Sequence, residues 1–175
     1  MKTLLISGSP RQGNTEFILK TIYNSLAGEK ELVLLRNKNI QHCRGCLACG
    51  KTKKCIIKDD MAEMLDKLIW ADTIIIGTPN YYDNVSGLLK DFIDRTNPFY
   101  ETGKLKNKKV FAIVIGGSKI EYSEQLASRL IKDYIDAHNM KLIDSFCFKA
   151  LNANELSEDT KILEDIDKIV KKIEK

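Results

Sequence analysis

Strand-like and helix-like segments alternate along this chain, and that alternation restricts its fold more than any other feature. Residues 2–7 (Lys-Thr-Leu-Leu-Ile-Ser) read as a buried first strand. Asn14 or Thr15 can cap a helix running to about Ala27, with Phe17, Ile18, Ile22 and Leu26 on its inner face. Residues 31–35 form a second strand. Met61, Leu65, Leu68 and Ile69 mark a helix. Residues 73–76 form a third strand ending at Gly77-Thr78-Pro79, and residues 85–92 start another helix. Residues 110–115 form a fourth strand ending at Gly116-Gly117; 126–135 lie in a helix and 142–148 in a fifth strand. The last helix starts near Ser157, with Ile162, Leu163, Ile166, Ile169, Val170 and Ile173 at helical spacing. Five strands alternating with five helices imply an α/β fold: a doubly wound five-stranded parallel sheet, covered on both faces, with strand order 2-1-3-4-5.

The 175 residues suit one domain spanning 1–175. A hydrophobic fraction of 43% with 30% charged residues reads as soluble and globular. The net charge of +4 is mild, and no basic run is interleaved with aromatics, so nucleic-acid binding has little support. The apolar runs are strand-sized, which argues against a membrane span. The first residues lack a signal-peptide pattern, so the expected location is cytoplasmic.

Ser7-Gly8-Ser9-Pro10-Arg11-Gln12-Gly13-Asn14-Thr15 joins the first strand to the first helix. In an open α/β sheet, ligands sit beyond the carboxyl ends of the strands, where strand order reverses, and this loop lies there. Small residues admit a ligand to the backbone. Ser9, Asn14 and Thr15 offer hydrogen bonds, Arg11 offers charge, and the helix N-terminus offers N–H groups, so a phosphate monoester fits. The loop lacks the Walker ending and the G-x-G-x-x-G fingerprint. An ordinary strand–turn–helix connection also needs a glycine and a cap. The loop after strand four, Gly116-Gly117-Ser118, lets backbone approach a ligand closely, and a simple turn uses such glycines equally well.

Residues 37–60 have no clear period, and a loop of that length in a compact domain is usually functional or disordered. It carries four of the five cysteines, as Cys43-x2-Cys46-x2-Cys49-x5-Cys55. Clustered cysteines in a reducing compartment bind metal or do redox chemistry. Thiolates at this spacing can wrap one cuboidal cluster. The ferredoxin run begins the same way, but there the fourth cysteine comes three residues on and precedes proline. Four thiolates also suit tetrahedral zinc, although zinc sites usually split into two separated pairs. A third reading leaves the cysteines without metal, as vestigial or thiol-active groups. Arg44, Lys51, Lys53, Lys54 and Lys58 surround them, with no acid between Cys43 and Asp59, which suits an anionic group or an acidic electron carrier such as ferredoxin. Cys147, between Phe146 and Phe148, reads as a buried thiol. His42 and His138 show no triad-like context.

Over most of its length the chain resembles the NADPH-dependent FMN reductase and iron–sulfur flavoprotein group of flavodoxin-like proteins. The resemblance rests on Gly8-Ser9-Pro10-Arg11-x-Gly13-Asn14-Thr15, on the cysteine loop followed by Asp59-Asp60-Met61, and on Thr78-Pro79-x-Tyr81-Tyr82 with Ser86-Gly87-x-Leu89-Lys90. It implies that Ser9, Arg11, Gly13, Asn14 and Thr15 hold the FMN phosphate. It implies that Pro79, Asn80, Tyr81 and Tyr82 line the flavin ring, and that Asn84 and Ser86 approach its pyrimidine side; Gly116 and Gly117, by their position after strand four, would let backbone pass close to that ring. It also implies that Cys43, Cys46, Cys49 and Cys55 together hold one 4Fe–4S cluster. The implied protein is an oxidoreductase whose chemistry is the flavin's, so that no side chain need act as acid or base. Two activities follow: electron transfer from the cluster through FMN to a small acceptor, or a cluster-free NAD(P)H-dependent reduction of a flavin, quinone or nitro compound. A non-catalytic sensor that uses the cysteines for zinc or a disulfide switch is opposed by the Ser9–Thr15 loop. The electron donor is ferredoxin or NAD(P)H. A homodimer or homotetramer is implied, with Tyr81, Tyr82, Phe99 and Tyr100 available to an interface.

Overall fold

The structure, a computed structural model, describes residues 1–117, 125 and 131–175. One sheet organises it. Its strands are β1 (Lys2–Ser7), β2 (Glu29–Leu34), β3 (Thr73–Pro79), β4 (Lys109–Gly116) and β5 (Lys141–Lys149). All pairings are parallel, and the order is β2-β1-β3-β4-β5. This is the flavodoxin-like order expected from the alternating pattern.

Side chains on a strand alternate between faces, so each central strand feeds two cores. Leu4, Ile6, Ile74, Ile76, Val110, Ala112 and Val114 pack on one face with residues of α3 (Met61–Trp70), α4 (Gly87–Arg95) and α5 (Lys132–Ala137). Leu5, Ile75, Phe111, Ile113 and Ile115 pack on the other with α1 (Asn14–Ser25) and α6 (Lys161–Ile173). A short helix, α2 (Ala48–Thr52), lies within the cysteine loop.

Several boundaries differ from the sequence pattern for identifiable reasons. β2 starts at Glu29 because its backbone pairs with β1 from Lys2↔Glu29 onward, although the apolar run begins later. β3 continues through Gly77, Thr78 and Pro79, which pair with Ile113, Val114 and Ile115. α4 starts at Gly87 because the Ser86 hydroxyl caps it, accepting the Leu89 N–H at 3.2 Å. α6 starts at Lys161, after a 3-10 turn at Glu155–Ser157, and the Asp159 carboxylate accepts the Lys161 N–H at 2.9 Å. Leu163, one of the apolar residues at helical spacing in α6, is exposed. Of the helix expected over 126–135, residues 126–130 lie outside the described residues, as does Ser118 of the third glycine loop. Among the described residues no helix is long and apolar enough to cross a membrane.

Candidate functional site

The loops after β1, β3, β4 and β5 meet at the carboxyl end of the sheet around a cavity of about 160 Å³. Larger clefts exist elsewhere, but this one lies where the ends of four strands converge. Ser9, Arg11, Gly13, Asn14, Thr15, Pro79, Asn80, Tyr81, Gly116 and Gly117 line it, ten of the thirteen residues singled out from the sequence. Ile115, Ala150 and Leu151 complete the lining. The strand-end rule that located the other loops also points to Ala150 and Leu151, which follow β5 directly.

The first loop presents backbone to the cavity. Gly13 occupies the cap position of α1 and makes no side-chain cap, and the first N–H groups of a helix have no partner within it. A Cβ built on Gly13 would meet no protein atom within 4 Å, so packing does not explain the glycine; open space for a ligand does. Ser9 turns inward, donating to the Arg11 carbonyl at 2.8 Å and shaping the loop. The Asn14 amide bridges to the loop after β5, donating to the Asn152 carbonyl at 2.8 Å and accepting the Leu156 N–H at 3.1 Å. Arg11 lines the cavity from an exposed position, and no ion pair holds it among the described residues. The buried Glu16 carboxylate is taken up by Lys20, at 2.7 Å, and by Arg36. Burial pushes its pKa up, but those two cations outweigh burial and hold it below the usual range.

The second loop supplies a slot. Asn80 donates its backbone N–H to the Ile115 carbonyl at 2.7 Å, and its side-chain Oδ1 is buried without a hydrogen-bond partner among the described residues. A buried acceptor left unanswered at a cavity wall calls for an explanation. Tyr81 and Asn84 exchange backbone hydrogen bonds of 2.9 and 3.0 Å, closing a two-residue turn at Tyr82-Asp83. Both turn residues adopt positive φ, 50° and 53°, a geometry for which hairpin turns favour Asn-Gly. Tyr82 consequently stands fully exposed at the tip and does not line the cavity. Asn84 is held in the turn, its Oδ1 accepting the Val85 N–H at 2.9 Å. Ser86 is buried and also lies outside the lining: besides capping α4 it donates to the Gly8 carbonyl. Gly116 packs so close to Asn80 that a Cβ would come within 2.9 Å of its side chain.

The cysteine loop lies along α4. Cys43 and Cys46 are exposed, and Cys49 and Cys55 are half-buried. The four sulfurs are not gathered: among the described residues no group of three or more His, Cys, Asp or Glu is placed to hold a metal ion. Both stems of the loop are fixed by one buried ion pair. Arg95 donates to the Asp59 carboxylate at 2.7 and 2.9 Å and to the Gln41 carbonyl at 2.7 Å. Asp59 in turn accepts the N–H groups of Gln41 and Met61 at 2.9 and 3.1 Å. Burial raises the Asp59 pKa, and Arg95 with the two N–H groups more than reverses this. His42 meets Asp91 of α4 at 2.6 Å, and that hydrogen bond raises the His42 pKa. Cys147 is half-buried rather than buried, packed against the core by its neighbours on edge strand β5.

Residues 1–155 match the family model described as NADPH-dependent FMN reductase. An iron-sulfur flavoprotein of Archaeoglobus fulgidus is 39% identical over 135 residues, covering 75% of this chain and 67% of its own length. An iron-sulfur flavoprotein of Methanosarcina thermophila is 32% identical over 179 aligned residues, covering 99% of this chain and 93% of its own. Among solved structures, a flavone reductase superposes with a TM-score of 0.76 at 22% identity, over 99% of this chain and 62% of that one. The azoreductase of Bacillus anthracis gives 0.75 at 14% identity, over 98% and 99%. At such identities the likeness is one of fold.

Proposed function

The chain belongs to the NADPH-dependent FMN reductase family and is a flavoprotein oxidoreductase, and from that premise we propose that it holds FMN in the four-loop cavity and a 4Fe–4S cluster in the cysteine loop, moving electrons between them to a small acceptor. The observation that carries the FMN reading is the cavity itself: a Gly13 cradle that protein atoms leave open, at a helix N-terminus, beside an unanswered Asn80 acceptor. An FMN phosphate suits the first feature and the polar edge of an isoalloxazine the second. Bound FMN supplies one- and two-electron chemistry, and a bound cluster supplies one-electron exchange.

The chain's own groups divide the work. The first N–H groups of α1 and the Arg11 guanidinium would hold the phosphate dianion. Ser9 shapes that loop and Asn14 ties it to the loop after β5. Thr15 and Pro79 add cavity wall, Tyr81 offers a ring to stack on, and Gly116 and Gly117 leave the far wall flat. Asn84 and Ser86 support the loop from behind. Tyr82 and Leu151, both exposed at the rim, would be covered in a homodimer or homotetramer.

For the cysteine loop, the chemistry of the donor set fits. Four thiols lie within thirteen residues, amid basic side chains and with no carboxylate between Cys43 and Asp59. The exposed Cys43 and Cys46 would have to draw in toward Cys49 and Cys55 as ligands. That separation favours, as second reading, a cluster-free reductase that takes its electrons from NAD(P)H. Iron, sulfide and flavin measured on one anaerobically purified sample separate the two. About four irons per flavin is the expected outcome. Flavin without iron or sulfide leaves the cluster-free reductase, and absence of flavin overturns both.

A further inference from the structure

α4 and the turn after it reach the cysteine loop with more than its stems require. Arginine carries five N–H donors. Arg95, 1% exposed, directs three of them to Asp59 and the Gln41 carbonyl. Its Nε–H is buried and has no hydrogen-bond partner among the described residues. The guanidinium and Cys55 line the same cleft. Two residues on, the turn Asn97–Phe99 packs against α2. There the Asn97 amide donates to the Cys49 sulfur at 3.0 Å. One motif sulfur therefore accepts an N–H from the stretch 95–97, and a second shares a cleft with that stretch. A neutral thiol accepts hydrogen bonds weakly, whereas a thiolate accepts them strongly.

We propose that Arg95 and Asn97 are positioning residues for the cysteine site, holding the Cys55 and Cys49 sulfurs with N–H donors and thereby raising the reduction potential of the group they bind. The inference rests on the cluster reading above. An N–H···S bond withdraws charge from a sulfur and stabilises the more negative, reduced state, which raises the potential. Arg95 adds a second effect. The guanidinium that shares a cleft with Cys55 also closes the two stems of the loop, so ligand spacing and potential would depend on one side chain.

The test uses full-length protein purified anaerobically, with iron, sulfide and flavin assayed and the cluster potential measured by dye-mediated titration read by electron paramagnetic resonance. Asn97→Leu removes the exposed donor without touching the Arg95–Asp59 pair. It should keep wild-type iron and flavin while the oxidised-to-reduced ratio at fixed ambient potential shifts about tenfold toward oxidised, roughly 60 mV for one electron. Asn97→Gln, which restores an amide donor, should recover part of the shift. Arg95→Lys keeps the cation but loses the fork, and should lower iron per flavin with flavin still bound. Full iron with an unchanged potential in Asn97→Leu overturns the inference, whether or not the Arg95 variant folds. Wild-type protein that binds flavin without iron overturns the cluster reading and this inference together, and is recognised on the wild-type sample alone.

Discussion

At the scale of the residue, Gly13 separates binding from folding. Its backbone is extended, at φ 168°, and its missing Cβ faces open space, so a side chain there costs the fold little. Gly13→Leu should leave thermal unfolding of the flavin-free protein unchanged and weaken FMN binding about tenfold or more, roughly 1.4 kcal/mol, as measured by fluorescence titration of FMN. His138 carries a different consequence. It is buried against Tyr134, with ring centroids 5.1 Å apart, and its Nε2 meets the Thr96 hydroxyl at 3.1 Å. Burial lowers its pKa. Below the ordinary histidine value the unfolded chain therefore binds a proton that the folded chain does not, and stability falls with pH from about 6.5 downward. Glu16 and Asp59, whose folded pKa values are lowered, lose their contribution only at lower pH, from about 4.5 and 3.8 downward. Urea midpoints at pH 7 and pH 5 should fall further in wild type than in His138→Gln. Equal falls would remove His138 from the account.

At the scale of the element, Ser86 shows how a residue's role depends on what the fold brings to it. The motif places it near a ring; the structure places it under α4, as the cap of that helix and a tie to the Gly8 carbonyl. Ser86→Ala should cost about 1 kcal/mol of stability in flavin-free protein, seen as a lower denaturant midpoint. A residue that served only to touch flavin would leave that midpoint unmoved. Asn14 is similar. Its sequence position names a phosphate loop, but its amide is spent on Asn152 and Leu156, more than 130 positions away in the chain, and nothing local in the sequence announces that pairing. Tyr82 and Asn84 were legible as loop residues. That they close a tight turn with two positive-φ residues was not, because Tyr-Asp is a poor sequence for it.

At the scale of the molecule, strand order and the position of the cavity were legible because both follow from alternation and from where strands end. The arrangement of the cysteine loop was not, because no core residue dictates it. Between Gln41 and Asp60 none of the side chains joins either hydrophobic core, so the loop is an appendage to a fold complete without it. Replacing Cys43, Cys46, Cys49 and Cys55 together by serine should abolish iron binding, keep FMN, and leave unfolding free energy within about 0.5 kcal/mol of that of cluster-free wild type. Chemical denaturation with parallel iron and flavin assays checks all three. The two ends of α4 have a further bearing. Its first turn is fastened to the phosphate loop through Ser86 and Gly8, and its last turn grips the cysteine loop through Arg95. Nine helical residues act as a fixed gear between two workplaces. At 1.5 Å per residue they span about 13 Å, and each residue also carries about 100° of rotation. A single insertion would lengthen the interval slightly but turn the cysteine loop to a different bearing, so evolution can repaint either loop freely while the tooth count between them stays fixed.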